Sequence, residues 1–196
     1  LNERLSRQLA FIREVDKLKT IFRQTYLLDA SRRENDAEHS WHITLMACLL
    51  EEHLDGKKID LPRVIKMLLI HDVVEIDAGD TFAYDVQGHE DKFEREQQAA
   101  RRIFGLLPPD QSADMMELWL EFERRETAEA RYAAAMDRIQ PLLHNYYTEG
   151  KAWREHQVTS DRVLERIRFL KQELPDLHAL VTGLIRDAVD KGYLLP

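Results

Sequence analysis

Asp60-Leu61-Pro62-Arg63-Val64-Ile65-Lys66-Met67-Leu68-Leu69-Ile70-His71-Asp72-Val73-Val74-Glu75-Ile76 reads as one buried helix. Asp60 with a proline in the first turn is a start signal: the proline has no N–H to lose there, and the aspartate can cap free amides. The apolar residues that follow surround the helix axis rather than line one side, which marks a helix enclosed by others. Into that run the sequence inserts His71 and Asp72. A buried charge costs several kcal/mol unless it is paired or holds a metal, so this is the sharpest local conflict in the chain.

The helix before it is predicted to start at Asn35, with Glu38 three residues on as a capping box, and to end near Leu54. Trp41, Ile43, Leu45, Met46, Ala47, Leu49 and Leu50 cover most of its circumference, so it too is expected to be central and heavily buried. Its Cys48, the single cysteine, is expected to be a buried core thiol, and a lone cysteine that cannot form an internal bridge fits a reducing, cytoplasmic compartment. A first helix is predicted over about Glu3 to Thr20, followed by an irregular stretch from Arg23 to Glu34. Downstream lie a loop from Asp77 to about Gly88 and helices at about 90–104, 112–124, 128–147, 161–173 and 176–191. Alternating strand patterns are not evident. The expected fold is an all-α bundle of about six to eight helices in a single domain over 1–196, with a motif-bearing core at about 11–147 and C-terminal helices 148–196 packed on it.

With 196 residues, 28 Lys and Arg against 36 Asp and Glu, and a net charge of −8, the chain has no global positive field to gather a nucleic-acid polymer or an anionic membrane. Its apolar runs are too short to span a bilayer, and no apolar leader is evident at the N-terminus. Loops and motifs for nucleotide cradling, nicotinamide binding, serine hydrolysis, HExxH zinc and CxxC are absent.

The residues with chemical potential are His39, His71, Asp72 and Asp137. Two imidazoles and two carboxylates suit a borderline to hard divalent cation with room left for water. Taken singly, a buried His39 is more often a hydrogen-bonded core residue, and Asp137 is an acid on a helix that can equally be a surface residue. Glu75 follows His71 by four residues and Asp72 by three, on the same helical face, where a carboxylate can take a proton from an attacking water or form a surface ion pair. Asp77 and Asp80 flank Gly79, where a loop-forming role is the plain alternative. Arg23, Arg32 and Arg33 precede the His39 helix and could meet a phosphate, or be ordinary exposed arginines. His42 and His144 are candidates for the surroundings of the same pocket.

The order His39, His71-Asp72, Asp137, with Glu34-Asn35-Asp36-Ala37-Glu38-His39-Ser40 and His71-Asp72-Val73-Val74-Glu75-Ile76-Asp77-Ala78-Gly79-Asp80, resembles the HD superfamily. Within it, these stretches resemble the YfbR-type 5′-deoxynucleotidase branch, which includes the HD-domain-containing protein 2 group, over roughly Phe11 to Tyr147. The resemblance implies an HD-domain helical fold and one divalent metal (Mn, Co, Fe, Ni or Zn) on His39, His71, Asp72 and Asp137. It also implies a homodimer, and release of phosphate from (deoxy)nucleoside 5′-monophosphates. It gives Glu75 acid–base work near the attacking water and Asp80 a contact to the sugar. The characterised member carries Arg-Trp where Gln24 and Thr25 stand here, with Arg23 and Tyr26 as the neighbours that can substitute. An HD-type nucleoside triphosphate hydrolase and a non-catalytic helical metal-binding module are the alternatives. For the dimer surface, the sequence offers apolar patches near Trp119 or Trp153.

Overall fold

The computed structural model describes residues 2–85 and 87–196. Helix α1 (Glu3–Val15) runs into a 3-10 turn at Asp16–Thr20. Strands β1 (Phe22–Tyr26) and β2 (Arg33–Asn35) form an antiparallel hairpin, with Phe22 opposite Asn35 and Tyr26 opposite Arg33. Next come α2 (Asp36–Leu50), α3 (Leu61–Ile70), the single turn α4 (Glu75–Ala78), α5 (Lys92–Phe104), α6 (Pro109–Arg124) and α7 (Ala128–Tyr147). The chain closes with α8 (Lys151–Glu155), α9 (Ser160–Ile167), α10 (Leu170–Glu173) and α11 (Pro175–Asp190). The long helices α1, α2, α3, α5, α6, α7, α9 and α11 make the all-α bundle expected from the sequence. None of the described helices is long and apolar enough to cross a membrane.

Helices α2, α3 and α7 pack against one another at the centre. Ala133, Ala134 and Ala135 are fully buried on α7, and their small side chains let neighbouring backbones approach. The Tyr132 hydroxyl donates to the Ala47 carbonyl at 2.8 Å and ties α7 to α2. Both predicted caps form: Asn35 Oδ1 accepts from the Glu38 amide at 2.9 Å while Glu38 Oε2 accepts from the Asn35 amide at 3.1 Å, and Asp60 Oδ1 accepts from the Arg63 amide at 3.1 Å.

Five expectations are corrected. The third helix does not run through to Ile76: α3 ends at Ile70, and the Val73, Glu75, Ile76 and Asp77 amides bond three residues back rather than four. The chain has tightened into 3-10 turns, in which side chains three apart eclipse, so Asp72 and Glu75 come to one side. The stretch after Arg23 is an ordered hairpin rather than irregular chain. Cys48 is exposed. Beyond its first turn α2 buries His39, Ser40, Ile43, Met46 and Ala47 and packs Leu50 against the core, which leaves Trp41 and Leu49, each 64% exposed, beside Leu45 and Cys48 on an outward stripe. Trp119 and Trp153, by contrast, are buried and offer no surface.

Candidate active site

His39 sits one turn into α2, where the capping box fixes the start of the helix. His71 is the residue at which α3 ends, Asp72 and Glu75 follow on the tight turns, and Asp137 projects from the middle of α7. The hairpin carries Arg23 across to them. His39 Nε2 lies 3.1 Å from Asp137 Oδ1 and 3.9 Å from Asp72 Oδ2, while His71 Nε2 lies 3.1 Å from Asp72 Oδ1 and 3.7 Å from Asp137 Oδ1. The four predicted ligands therefore converge.

Whether they suit a cation can be read from the imidazoles. His71 Nδ1 donates to the Leu68 carbonyl at 2.8 Å and His39 Nδ1 donates to Gln140 Oε1 at 3.1 Å, so both rings are anchored through Nδ1 and turn Nε2 inward. His71 Nε2 is buried and has no hydrogen-bond partner. A divalent ion with bonds of about 2.1 Å needs donors roughly 3 to 3.5 Å apart; two of the separations here are 3.1 Å and the other two, 3.7 and 3.9 Å, need only a small inward movement. The N₂O₂ donor set fits a borderline divalent cation.

Behind His39 lies a buried relay in which His144, with His42 beside it, was a candidate from the sequence and Gln140 and Glu34 were not. Gln140 Nε2 donates to Glu34 Oε1 at 2.6 Å and to His144 Nε2 at 3.0 Å, and His144 Nδ1 donates to the Tyr26 carbonyl on β1 at 2.9 Å. His42 Nδ1 stands 3.3 Å from His144 Nε2, with its ring stacked on Trp41. The relay holds His39 in the tautomer that leaves Nε2 free. Removing its acceptor in Gln140→Leu is expected to weaken metal binding about 10- to 100-fold. Competition with a chromogenic chelator measures this, and an unchanged affinity would exclude the relay from the site.

Asp36 is the second residue the sequence reading missed. It is fully buried, three residues before His39, and its carboxylate groups with those of Asp72 and Glu75, with donor atoms all within 4.8 Å. The i, i+3 spacing to His39 was the available signal, as was that of Gln140 to Asp137. Burial and the neighbouring Asp72 raise the Asp36 carboxyl to about 7. Glu75, also buried, is pushed well above the usual carboxylate range by burial and then by Asp72, Asp36 and Asp80. Arg23 bridges the cluster, with Nη1 2.7 Å from Asp72 Oδ2 and 3.5 Å from Asp36 Oδ1.

These groups open onto a cavity of about 350 Å³. Arg23, Gln24, Thr25, Glu75 and Asp80 line it together with His71, Asp72 and Asp137. Gly79, at φ 76° and ψ 151°, adopts a backbone conformation open to glycine and turns the chain so that Asp80 reaches the cavity. Asp77 instead pairs with Arg102 on α5. Two of the three candidate arginines are not brought in: Arg32 pairs with Glu38 on the surface, and Arg33 lies 3.7 Å from Glu155. Both sit beyond the hairpin's turn, whereas Arg23 is on the strand that faces the cluster. Tyr26 does not stand in for the tryptophan of the characterised member either, because its hydroxyl donates to Glu155 at 2.9 Å. His156 is half-buried between Gln24, 3.1 Å away, and the Phe82 ring.

The charge around His71 dictates how the site responds to pH. Burial disfavours its imidazolium, but Asp72 and Asp137 overcome this and raise its pKa to about 10. Without metal, His71 therefore holds a proton at neutral pH, and that proton must leave before Nε2 can ligate. Metal affinity is expected to rise with pH by about tenfold per unit between pH 6 and 8, for one proton displaced. Calorimetric titrations in buffers of different ionisation enthalpy read the proton directly; a pH-independent affinity contradicts the assignment.

A family model described as HD domain matches residues 15–178. The human 5′-deoxynucleotidase HDDC2 is 29% identical over 136 residues, 69% of this chain and 65% of the human protein. The Dictyostelium discoideum 5′-deoxynucleotidase HDDC2 is 31% identical over 150 residues, 74% of this chain and 79% of that protein. The match thus spans just under two thirds of the human relative's length. Among solved structures, a predicted metal-dependent phosphohydrolase from Magnetospirillum magnetotacticum superimposes with a TM-score of 0.94 at 55% identity, covering 99% of this chain and 97% of that one.

Proposed function

The chain belongs to the HD-domain family, and we propose that it is a metal-dependent phosphohydrolase that removes phosphate from (deoxy)nucleoside 5′-monophosphates. The observation that carries this reading is the convergence of His39, His71, Asp72 and Asp137, with His71 Nε2 turned inward and without a hydrogen-bond partner, at a cavity that also holds Glu75, Asp80 and Arg23. In this reading those four residues hold one divalent ion (Mn, Co, Fe, Ni or Zn). When bound, it supplies positive charge at the phosphoryl oxygens and acidifies water. The remaining steps belong to side chains. Glu75 takes the proton of the water that attacks phosphorus and returns it to the leaving 5′-oxygen as the P–O bond breaks. Arg23, held beside Asp72, neutralises charge growing on the phosphoryl oxygens, and Asp80 accepts a hydrogen bond from the sugar.

Product analysis tests the reaction. Metal-loaded protein is expected to yield orthophosphate and nucleoside from deoxynucleoside 5′-monophosphates. Tripolyphosphate from triphosphates, with monophosphates untouched, would assign the triphosphate hydrolase instead. Metal bound without turnover of either would assign the non-catalytic module.

The same reading includes a homodimer. Trp41, Leu45, Cys48 and Leu49 recur along one exposed side of α2 and support it as the contact face, since an apolar stripe of this kind marks an interaction surface. Trp41→Asp is expected to convert the protein to monomers in sedimentation velocity; a wild-type monomer contradicts the assignment.

A further inference from the structure

Arg23 is not the only guanidinium on the cavity wall. Arg125 at the end of α6, Arg138 on α7 and Arg166 on α9 also line it. Arg23 is matched by carboxylates. These three, among the described residues, have none within ion-pair range. Their only hydrogen bonds go to backbone: Arg138 Nη1 donates to the Arg166 carbonyl at 2.7 Å, and Arg166 Nη1 to the Ala83 carbonyl at 2.9 Å. The Nε atoms of Arg125 and Arg138 are buried and without any partner. Arg125 holds a left-handed conformation, φ 56°, uncommon outside glycine. Burial and the nearby Arg125 and Arg166 lower the Arg138 pKa to about 10 against the weaker opposite pull of Asp137, as expected where like charges are gathered.

A guanidinium has five N–H donors in a fixed fork, and the backbone bonds use few of them. Buried donors left unpaired call for a missing acceptor. Because the overall charge of the chain is −8, this cluster is a local feature rather than part of a basic surface. It shares its cavity with the candidate metal ligands, so one small molecule can reach both.

We propose that Arg125, Arg138 and Arg166 form a subsite for a second phosphate group on the substrate, in addition to the one held beside Arg23 and the metal ligands. Nucleoside 5′-monophosphates are then hydrolysed, and a nucleotide that carries a further phosphate is preferred, one phosphate being hydrolysed while the other is gripped by the arginine wall. This rests on the phosphohydrolase reading of the same cavity. The second phosphate can be attached elsewhere on the sugar or be contiguous with the first.

The test compares phosphate release by metal-loaded protein from deoxyadenosine 5′-monophosphate, deoxyadenosine 3′,5′-bisphosphate and deoxyadenosine 5′-diphosphate. At least one of the doubly phosphorylated compounds is expected to exceed the monophosphate in kcat/KM by about tenfold or more, and which one does so locates the second group. Arg138→Gln and Arg166→Gln, made separately so that one folding failure does not end the test, are expected to bring that ratio towards one. Arg166→Lys should retain part of it. A wild-type ratio near or below one, or a ratio unmoved in both glutamine variants, overturns the subsite. If no nucleotide is turned over, the phosphohydrolase reading fails, and equilibrium dialysis of the same three compounds decides the subsite separately. Tighter retention of a doubly phosphorylated compound, lost in the variants, upholds it; equal retention overturns it.

Discussion

Asp72→Asn protein is expected to release phosphate about 10³-fold more slowly than wild type and to lose most of its bound metal. The size follows from the chemistry assigned to the ion: Lewis-acid stabilisation is worth several kcal/mol, and each 1.36 kcal/mol is a factor of ten in rate, so about 4 kcal/mol gives about 10³. The substitution keeps the side chain's shape and removes its charge. It takes away the carboxylate 3.1 Å from His71 Nε2 and 2.7 Å from Arg23, while Arg23 keeps Asp36 at 3.5 Å and is not left wholly unpaired. The fold should therefore survive a change that the site does not. Metal content by atomic emission and orthophosphate release by colorimetry measure the two losses; wild-type values for both would remove Asp72 from the site.

Glu75→Gln is expected to separate chemistry from metal binding. Turnover should fall about 10²-fold or more while the protein retains its metal. Glu75 is buried, and burial first, then Asp72, Asp36 and Asp80, pushes its carboxyl above the usual carboxylate range, so an uncharged isostere of the same shape costs little packing energy. What glutamine cannot do is accept and return a proton. The expected signature is a lowered kcat with wild-type metal stoichiometry and an unchanged circular dichroism spectrum. Unchanged turnover would take Glu75 out of the mechanism.

The parts of this site that were legible in the sequence are those where polarity broke an apolar pattern. His71-Asp72 inside a buried run was such a break, and so was His39 on a helix whose capping box is written in Asn35 and Glu38. The end of α3 was hidden because Val73, Val74 and Ile76 continue the apolar run, and the change from four-residue to three-residue hydrogen bonds leaves no mark in composition. The hairpin was hidden for the opposite reason. Arg23, Gln24 and Thr25 all contribute to the lining of a polar cavity, and none is a large apolar residue, so β1 lacks the apolar–polar alternation by which strands are recognised. On α2, apolar residues all round were read as burial all round, although Trp41, Leu45 and Leu49 point outward. Hydrophobicity does not distinguish a core face from a face meant for another surface. Asp36 and Gln140 stood at i, i+3 positions from His39 and Asp137, and only the assembled helices show what those positions meet.

The most direct test of the account is phosphate release from deoxyadenosine 5′-monophosphate by protein stripped with a chelator, before and after Mn, Co, Fe, Ni or Zn is restored in turn. The account predicts no release from the stripped protein, recovery with at least one of these ions, and no recovery in His71→Ala. Release that persists in the metal-free protein, or its absence at full metal occupancy, would contradict it.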